Sequence, residues 1–190
     1  MQKGGKKRPL RKPQRQSKPG IESKMDPKPV VTTSQSGGGK LKDKVAFITG
    51  GDSGIGKAVA VLFAKEGADI AIAYLNEHAD AEETRRLVEE ENRRCLLLPG
   101  DLSKEINCRR AVKKVVKKYG RIDVLVNNAA VHWEQKNLED ITSEQLLRTF
   151  ATNIFSYFWI TQEALASMPE GSAIINTASV TAYRGSPALI

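Results

Sequence analysis

The stretch Lys44–Phe63, KVAFITGGDSGIGKAVAVLF, decides the fold of this chain. It begins with an apolar, β-favouring run, continues through a glycine-rich turn and ends in a run that favours helix. The glycines of the turn, Gly50, Gly54 and Gly56, lack Cβ atoms and let the backbone approach a phosphate closely. The amides at the start of the following helix then face the anion. The pattern predicts a strand, a turn that binds dinucleotide phosphates and a helix.

Composition and charge limit the classes of protein to which the chain can belong. Its 190 residues are 40% hydrophobic, which suffices for one domain with a core. No apolar run reaches the roughly 18 residues of a membrane helix, so no membrane partner is expected. Two cysteines and two histidines are present without the spacing of metal ligands. No metal site is predicted.

Residues 1–40 differ from the rest of the chain. They carry eleven of the 30 Lys and Arg residues but only two of the 22 Asp and Glu residues. Few large apolar residues offset the ordering entropy there, so we expect a disordered basic tail before a domain over residues 41–190. No aromatic residue lies among the charges, so nucleic acid is not an expected partner. The tail has no apolar leader, and the predicted location is cytoplasmic.

Apolar runs and helical patterns alternate through residues 41–190. Strands are predicted at residues 45–49, 69–74, 95–98, 121–126 and 172–178, with helices between them. Ser103 is predicted to cap the third helix, and one long helix is predicted over residues 142–168. This alternation predicts an α/β fold, a Rossmann-type doubly wound parallel sheet of about five strands.

Ligands of such sheets bind at the carboxyl ends of the strands. Four stretches lie there: the glycine turn, Asp101, residues 127–130 and Ser179. These stretches are the candidate site.

The same stretches carry a resemblance to a known family. From residue 41 onward the chain resembles the short-chain dehydrogenase/reductases, within them the subgroup of plant glucose and ribitol dehydrogenase-like proteins and bacterial reductases. The motifs that carry the resemblance are TGGDSGIG at 49–56, Asp101-Leu102, NNAA at 127–130, TNIFSYFWIT at 152–161 and IINTASVTAYRGSP at 174–187. The resemblance implies hydride transfer between NAD or NADP and a secondary alcohol or ketone, such as a sugar or polyol. A homo-oligomer is also implied.

The resemblance also implies roles for individual residues. Ser179 would bond the substrate oxygen, and Asn153 would hold a water of a proton relay. The remaining implied roles concern the cofactor, with Asp101 on the adenine, Leu102 beside it and Asn128 framing the site. The full set of implied cofactor residues is Gly50, Ser53, Gly54, Ile55, Gly56, Asp101, Leu102, Asn128 and Ala129. Ala130 stands where the family more often has glycine.

The family's base is a tyrosine followed four residues later by a lysine. By the resemblance these would fall at about positions 192 and 196, past Ile190. Tyr183 follows Ser179 too closely to match. The chain is therefore expected to be a truncated copy of a family domain, with little or no dehydrogenase activity of its own.

Cofactor choice and function leave alternatives open. The second strand is followed by Leu75-Asn76-Glu77, which contains no base for a ribose phosphate and favours NAD over NADP. The first alternative function is a non-catalytic dinucleotide-binding protein whose basic tail binds an acidic partner. The second is a non-functional fragment that exposes a sheet edge.

Overall fold

Five parallel strands form one sheet in the order β3-β2-β1-β4-β5. The computed structural model describes Gln14, Gln16 and residues 20–31 and 36–185. The strands are β1 Val45–Thr49, β2 Asp69–Tyr74, β3 Cys95–Pro99, β4 Val124–Asn127 and β5 Ala173–Asn176. The α-helices are α1 Gly54–Lys65, α2 His78–Glu90, α3 Glu105–Tyr119, α4 Ser143–Phe150 and α5 Ser156–Ala164. The predicted parallel sheet is confirmed, with strand bounds that differ by up to three residues.

Helices cover both faces of the sheet. Ala46 and Ile48 point from β1 into a cluster with α1 and α2, while Phe47 points into a second cluster with α3 and α5. All three side chains are fully buried. A strand buried on both faces reads as a continuous apolar run, which is why the sequence of β1 shows no alternation. The strand order reverses between β1 and β4, where ligands of such sheets bind.

The predicted helix over residues 142–168 is helical throughout most of its length but changes its winding. Thr142 caps α4 by accepting a hydrogen bond from the amide of Gln145 at 3.1 Å. A π-helical segment, Ala151–Phe155, separates α4 from α5, and a 3-10 turn ends the run at Ser167. The prediction of one uniform helix is therefore corrected. Single π turns inside helices are frequent at functional sites, and Asn153 lies in this one.

The predicted cap of α3 is wrong. The helix begins at Glu105 with Lys104 as the preceding residue, and no side chain caps it. The hydroxyl of Ser103 instead donates to Asp101 Oδ1 at 2.8 Å. Ser103 thus closes the loop after β3 instead of accepting from the amides at the start of the helix, since its hydroxyl donates to the carboxylate of Asp101, a strong acceptor.

Part of the stretch predicted to be disordered has a described conformation. Residues 20–31, here called the N-terminal strap, contain a 3-10 turn at Glu22–Lys24 and contact α1 and α2. That residues 1–40 form a disordered tail stays a prediction. Of the other tail residues, 36–40 precede β1, whereas 1–13, 15, 17–19 and 32–35 lie outside the described residues.

Candidate dinucleotide and catalytic site

The glycine turn is closed by backbone contacts that leave no room for a Cβ atom. Gly50 has φ +64° and donates its amide to the carbonyl of Ala73 at 2.7 Å. A Cβ atom at Gly50 would lie 3.0 Å from the Cα of Ala129, and one at Gly56 only 1.9 Å from the carbonyl oxygen of Gly50. The turn therefore needs glycine at both positions for its own shape.

The first turn of α1 presents unpaired amides to the ligand edge of the sheet. Among the described residues, none accepts a hydrogen bond from the amides of Ser53, Ile55 or Gly56. Gly54 and Ile55 are exposed, whereas Gly56 is buried. Free amides at the positive end of a helix bind anions, so these residues fit the pyrophosphate of a dinucleotide.

Asn128 joins the ends of three strands. Its Nδ2 donates to the carbonyls of Thr49 at 3.2 Å and Gly50 at 3.3 Å, and its Oδ1 accepts from the hydroxyl of Thr177 at 3.2 Å. The Thr49 hydroxyl in turn accepts the amides of Asn128 and Ala129 at 2.9 and 3.0 Å. The amide side chain thus fixes the glycine turn against β4, where the sequence placed Asn128 and Ala129.

Asp101 and Leu102 follow β3, but both have partners within the protein. Asp101 Oδ2 accepts from Arg148 Nη1 at 2.7 Å, and Oδ1 accepts the amide of Ser103 at 3.0 Å. Burial raises the pKa of Asp101, but the Arg148 guanidinium and the Ser103 bonds outweigh it and lower the pKa overall. Leu102 is 7% exposed and packs in the core. Their contacts to adenine remain predictions.

Asn153 holds the segment after β4 against the π-helical segment. Its Oδ1 accepts the amide of Val131 at 2.8 Å, and its Nδ2 donates to the carbonyl of Val131 at 2.7 Å. Both ends of the side-chain amide are therefore engaged with one backbone unit. The structure places Asn153 beside the strand ends, and its role in a water relay remains a prediction.

Ser179 lies just beyond β5 in an exposed turn. Its Oγ accepts from the amide of Thr181 at 3.2 Å and from the hydroxyl of Thr181 at 2.8 Å, so it caps the 3-10 turn Val180–Ala182. Tyr183 is 94% exposed. Ser179 is exposed, and its bond to a substrate oxygen stays a prediction, whereas Tyr183 projects into solvent.

Sequence reasoning missed three residues of this region. Arg148 pairs with Asp101 from α4, 47 positions away in sequence. Glu22 and Lys57 pair with each other at the start of α1 at 2.7 Å. Lys57 stood in the stretch that decided the fold, but a lysine in an α-helix is most often solvent-exposed, so the sequence carried no signal for this pair.

The described residues also bear on two other classes of site, membrane spans and metal centres. Within residues 20–31 and 36–185, no helix is long and apolar enough to cross a membrane. Nor does the described part of the chain contain a group of three or more His, Cys, Asp or Glu side chains placed to hold a metal ion.

Comparison with known proteins agrees with the geometry. The family model described as short chain dehydrogenase matches residues 44–190. The chain is 58% identical over 180 residues to the uncharacterized oxidoreductase YhdF of Bacillus subtilis, which covers 94% of this chain and 62% of YhdF. It is 48% identical over 186 residues to glucose and ribitol dehydrogenase homolog 2 of Arabidopsis thaliana, covering 94% of this chain and 64% of the homolog.

A solved structure shows the same architecture. A short chain dehydrogenase from Burkholderia cenocepacia in complex with NADP superposes with a TM-score of 0.77 at 33% identity, over 79% of this chain and 61% of that one. The chain thus spans less than two thirds of the length of these relatives. The motif match, the sequence identity and the shared fold establish that this chain belongs to the short-chain dehydrogenase family.

Proposed function

We propose that the whole protein transfers a hydride between NAD or NADP and a secondary alcohol or ketone. The observation that supports it most is the common edge of the sheet. At that edge the open amides of α1 follow β1, the side chain of Asn128 follows β4 and Ser179 follows β5. The nicotinamide cofactor supplies the hydride chemistry when bound. A sugar or polyol is the proposed substrate class, from the likeness to the glucose and ribitol dehydrogenase homolog.

Each candidate site residue has a proposed part in that function. Gly50, Gly54 and Gly56 shape the turn, while the amides of Ser53 and Ile55 bind phosphate. Asn128 and Ala129 hold the turn against β4, and Asp101 and Leu102 flank the adenine. Ser179 donates a hydrogen bond to the substrate oxygen, which stabilises negative charge as it develops there. Asn153 keeps the segment after β4 in place for a proton relay.

Neither of the two proposed catalytic residues, Ser179 and Asn153, is an acid or base suited to take the hydroxyl proton. Ser179 and Asn153 are both engaged in neutral hydrogen bonds, and such chemistry needs a positioned acid or base. We therefore expect a polypeptide of these 190 residues to bind dinucleotide but to turn over little alcohol or ketone. Measurable turnover by the purified polypeptide, with glucose, ribitol and their oxidised forms as substrates, would contradict this expectation.

Binding and turnover separate the two candidate functions. NADH and NADPH fluorescence titrations of the purified chain test the dinucleotide site directly. Reading the coding sequence past codon 190, together with the intact mass of the native protein, tests for the family's tyrosine and lysine. Their presence supports the dehydrogenase. Binding without them, in a native protein of matching mass, favours a non-catalytic dinucleotide-binding protein whose basic tail binds an acidic partner.

We also propose self-association through α4, the π-helical segment and α5. The side chains proposed for this surface are Phe150, Ile154, Phe158 and, in the 3-10 turn that follows α5, Leu165; they are between 46% and 64% exposed. An exposed apolar face of this kind marks an interaction surface, and a second copy of the chain is the proposed partner. Sedimentation of the purified chain over a range of concentrations tests it.

A further inference from the structure

The N-terminal strap reaches the dinucleotide turn through a single carboxylate. Glu22 Oε2 accepts the amide of Gly54 at 2.7 Å, and Glu22 Oε1 pairs with Lys57 Nζ at 2.7 Å. The amide of Glu22 donates to Asp80 Oδ2 at 2.9 Å. The carboxylate is thus tied to α1, while its own backbone is tied to α2.

The Glu22–Lys57 pair is buried. The side chains of Glu22 and Lys57 are 10% and 7% exposed. A charge withdrawn from water to that degree is costly without a partner. The carboxylate also lies at the positive end of the α1 dipole and satisfies one of its free amides. Removing Glu22 would leave a buried cation beside the turn and free the Gly54 amide.

The strap engages only part of the glycine turn. Only the Gly54 amide bonds to Glu22, whereas those of Ser53, Ile55 and Gly56 have no partner among the described residues. Ile55 remains 67% exposed. The carboxylate therefore takes one amide at the start of α1 and leaves the amides of Ser53, Ile55 and Gly56 without a partner among the described residues.

We propose that the N-terminal strap belongs to the dinucleotide site and that Glu22 is a positioning residue. By holding Gly54 and neutralising Lys57, Glu22 fixes the first turn of α1 so that the amides of Ser53, Ile55 and Gly56 point together at the phosphates. The strap thus acts on cofactor affinity without touching the cofactor. This inference rests on the proposed function, since it concerns the same site.

The first test compares two charge-neutral variants of the full 190-residue chain. Glu22→Gln keeps the size of the side chain but removes the charge that Lys57 needs. Asp26→Asn removes the same charge from an exposed position of the strap and is the matched control. NADH and NADPH are titrated by fluorescence. We expect Glu22→Gln to raise Kd about tenfold, as residues coupled by contact do, and Asp26→Asn to leave it within about twofold.

A second test separates positioning from general structural damage. Glu22→Ala leaves a space in which a small carboxylate can sit. Formate added to this variant, compared with chloride at equal ionic strength, is expected to restore dinucleotide affinity. Restoration shows that the missing group is a carboxylate at that place. The same comparison remains decisive if Glu22→Gln melts below the assay temperature.

The other outcomes overturn the proposal in distinguishable ways. Equal affinity of Glu22→Gln and the unaltered chain removes any role for Glu22. Tighter binding by Glu22→Gln, or weaker binding of the Glu22→Ala variant in formate, shows that the strap competes with the cofactor. No binding of either dinucleotide by the unaltered chain overturns the proposed function itself.

Discussion

Replacement of Gly56 by alanine tests whether the glycine turn is closed as tightly as the structure indicates. A Cβ atom at this position would lie 1.9 Å from the carbonyl oxygen of Gly50 and 2.8 Å from Asn128 Nδ2. Real Cβ atoms essentially never approach closer than 3.0 Å, so the turn must open by about 1.1 Å. Because the first of these contacts is with backbone, a side-chain rotation cannot relieve it.

The magnitude follows from two opposing effects. Alanine is favoured over glycine inside a helix by about 1 kcal/mol. Overpacking of a closed site costs about 1–3 kcal/mol, and here the displaced atoms are backbone. We expect Gly56→Ala to lower the free energy of unfolding by up to about 2 kcal/mol. Dinucleotide affinity should fall about tenfold or more, since each lost hydrogen bond to a charged phosphate is worth about 1.5–3 kcal/mol.

Gly171→Ala is the matched control. Gly171 has φ +81°, and no atom lies within 4 Å of its added Cβ. It precedes β5 and so lies at the amino end of that strand, away from the carboxyl ends where the candidate site lies. Its substitution should cost about 1–2 kcal/mol through the backbone alone and leave NADH and NADPH binding unchanged. Urea unfolding and fluorescence titration measure both quantities. If Gly56→Ala binds dinucleotide as the unaltered chain does, the contact argument for the turn is refuted.

Three further predictions concern other parts of the chain. Burial alone would raise the pKa of Asp123, but bonds from Val45 and a neighbouring arginine lower it overall. The charged Asp123 carboxylate therefore stabilises the fold above the unfolded pKa of about 3.9. This stabilisation is lost as pH falls through the lower folded pKa. Asp123→Asn should cost about 1.5–3 kcal/mol at neutral pH and flatten the acid limb of urea midpoints, and an unchanged limb would contradict this. Burial raises the pKa of the Cys95 and Cys108 thiols to about 12, so both should react slowly with a disulfide reagent at pH 7 unless urea is added. Phe158→Lys should shift sedimentation toward the monomer without changing dinucleotide affinity. An unshifted profile would argue against self-association through α4, the π-helical segment and α5.

The strands and the motifs were predictable because their signals are local. The run Val45–Thr49 is buried on both faces and therefore apolar throughout, so its pattern does not depend on any distant residue. The glycine turn was predictable for the same reason, since its backbone approaches itself within a few residues. The helix over residues 142–168 was predictable in extent, but its π-helical segment was not, because the contacts of Asn153 with Val131 lie across the fold.

The partners of the site residues were beyond local reasoning. Asp101 was identified from its place after β3, yet Arg148, which lowers its pKa, comes from α4. Ser103 was assigned to the end of a helix and instead bonds the carboxylate two residues before it. In both cases the side chain has several chemically reasonable partners, and only the packing of the elements selects one.

The sequence alone determined the fold class, because periodicity encodes it directly, and the family, because its motifs resemble those of known members. Only the tertiary structure decided how the strap and the turn are joined. Glu22 lies 35 positions before Lys57, in a polar and basic stretch, and nothing in that composition indicates a buried pair. The pair forms because folding buries the lysine at the positive end of α1, where the desolvated charge requires a carboxylate within reach.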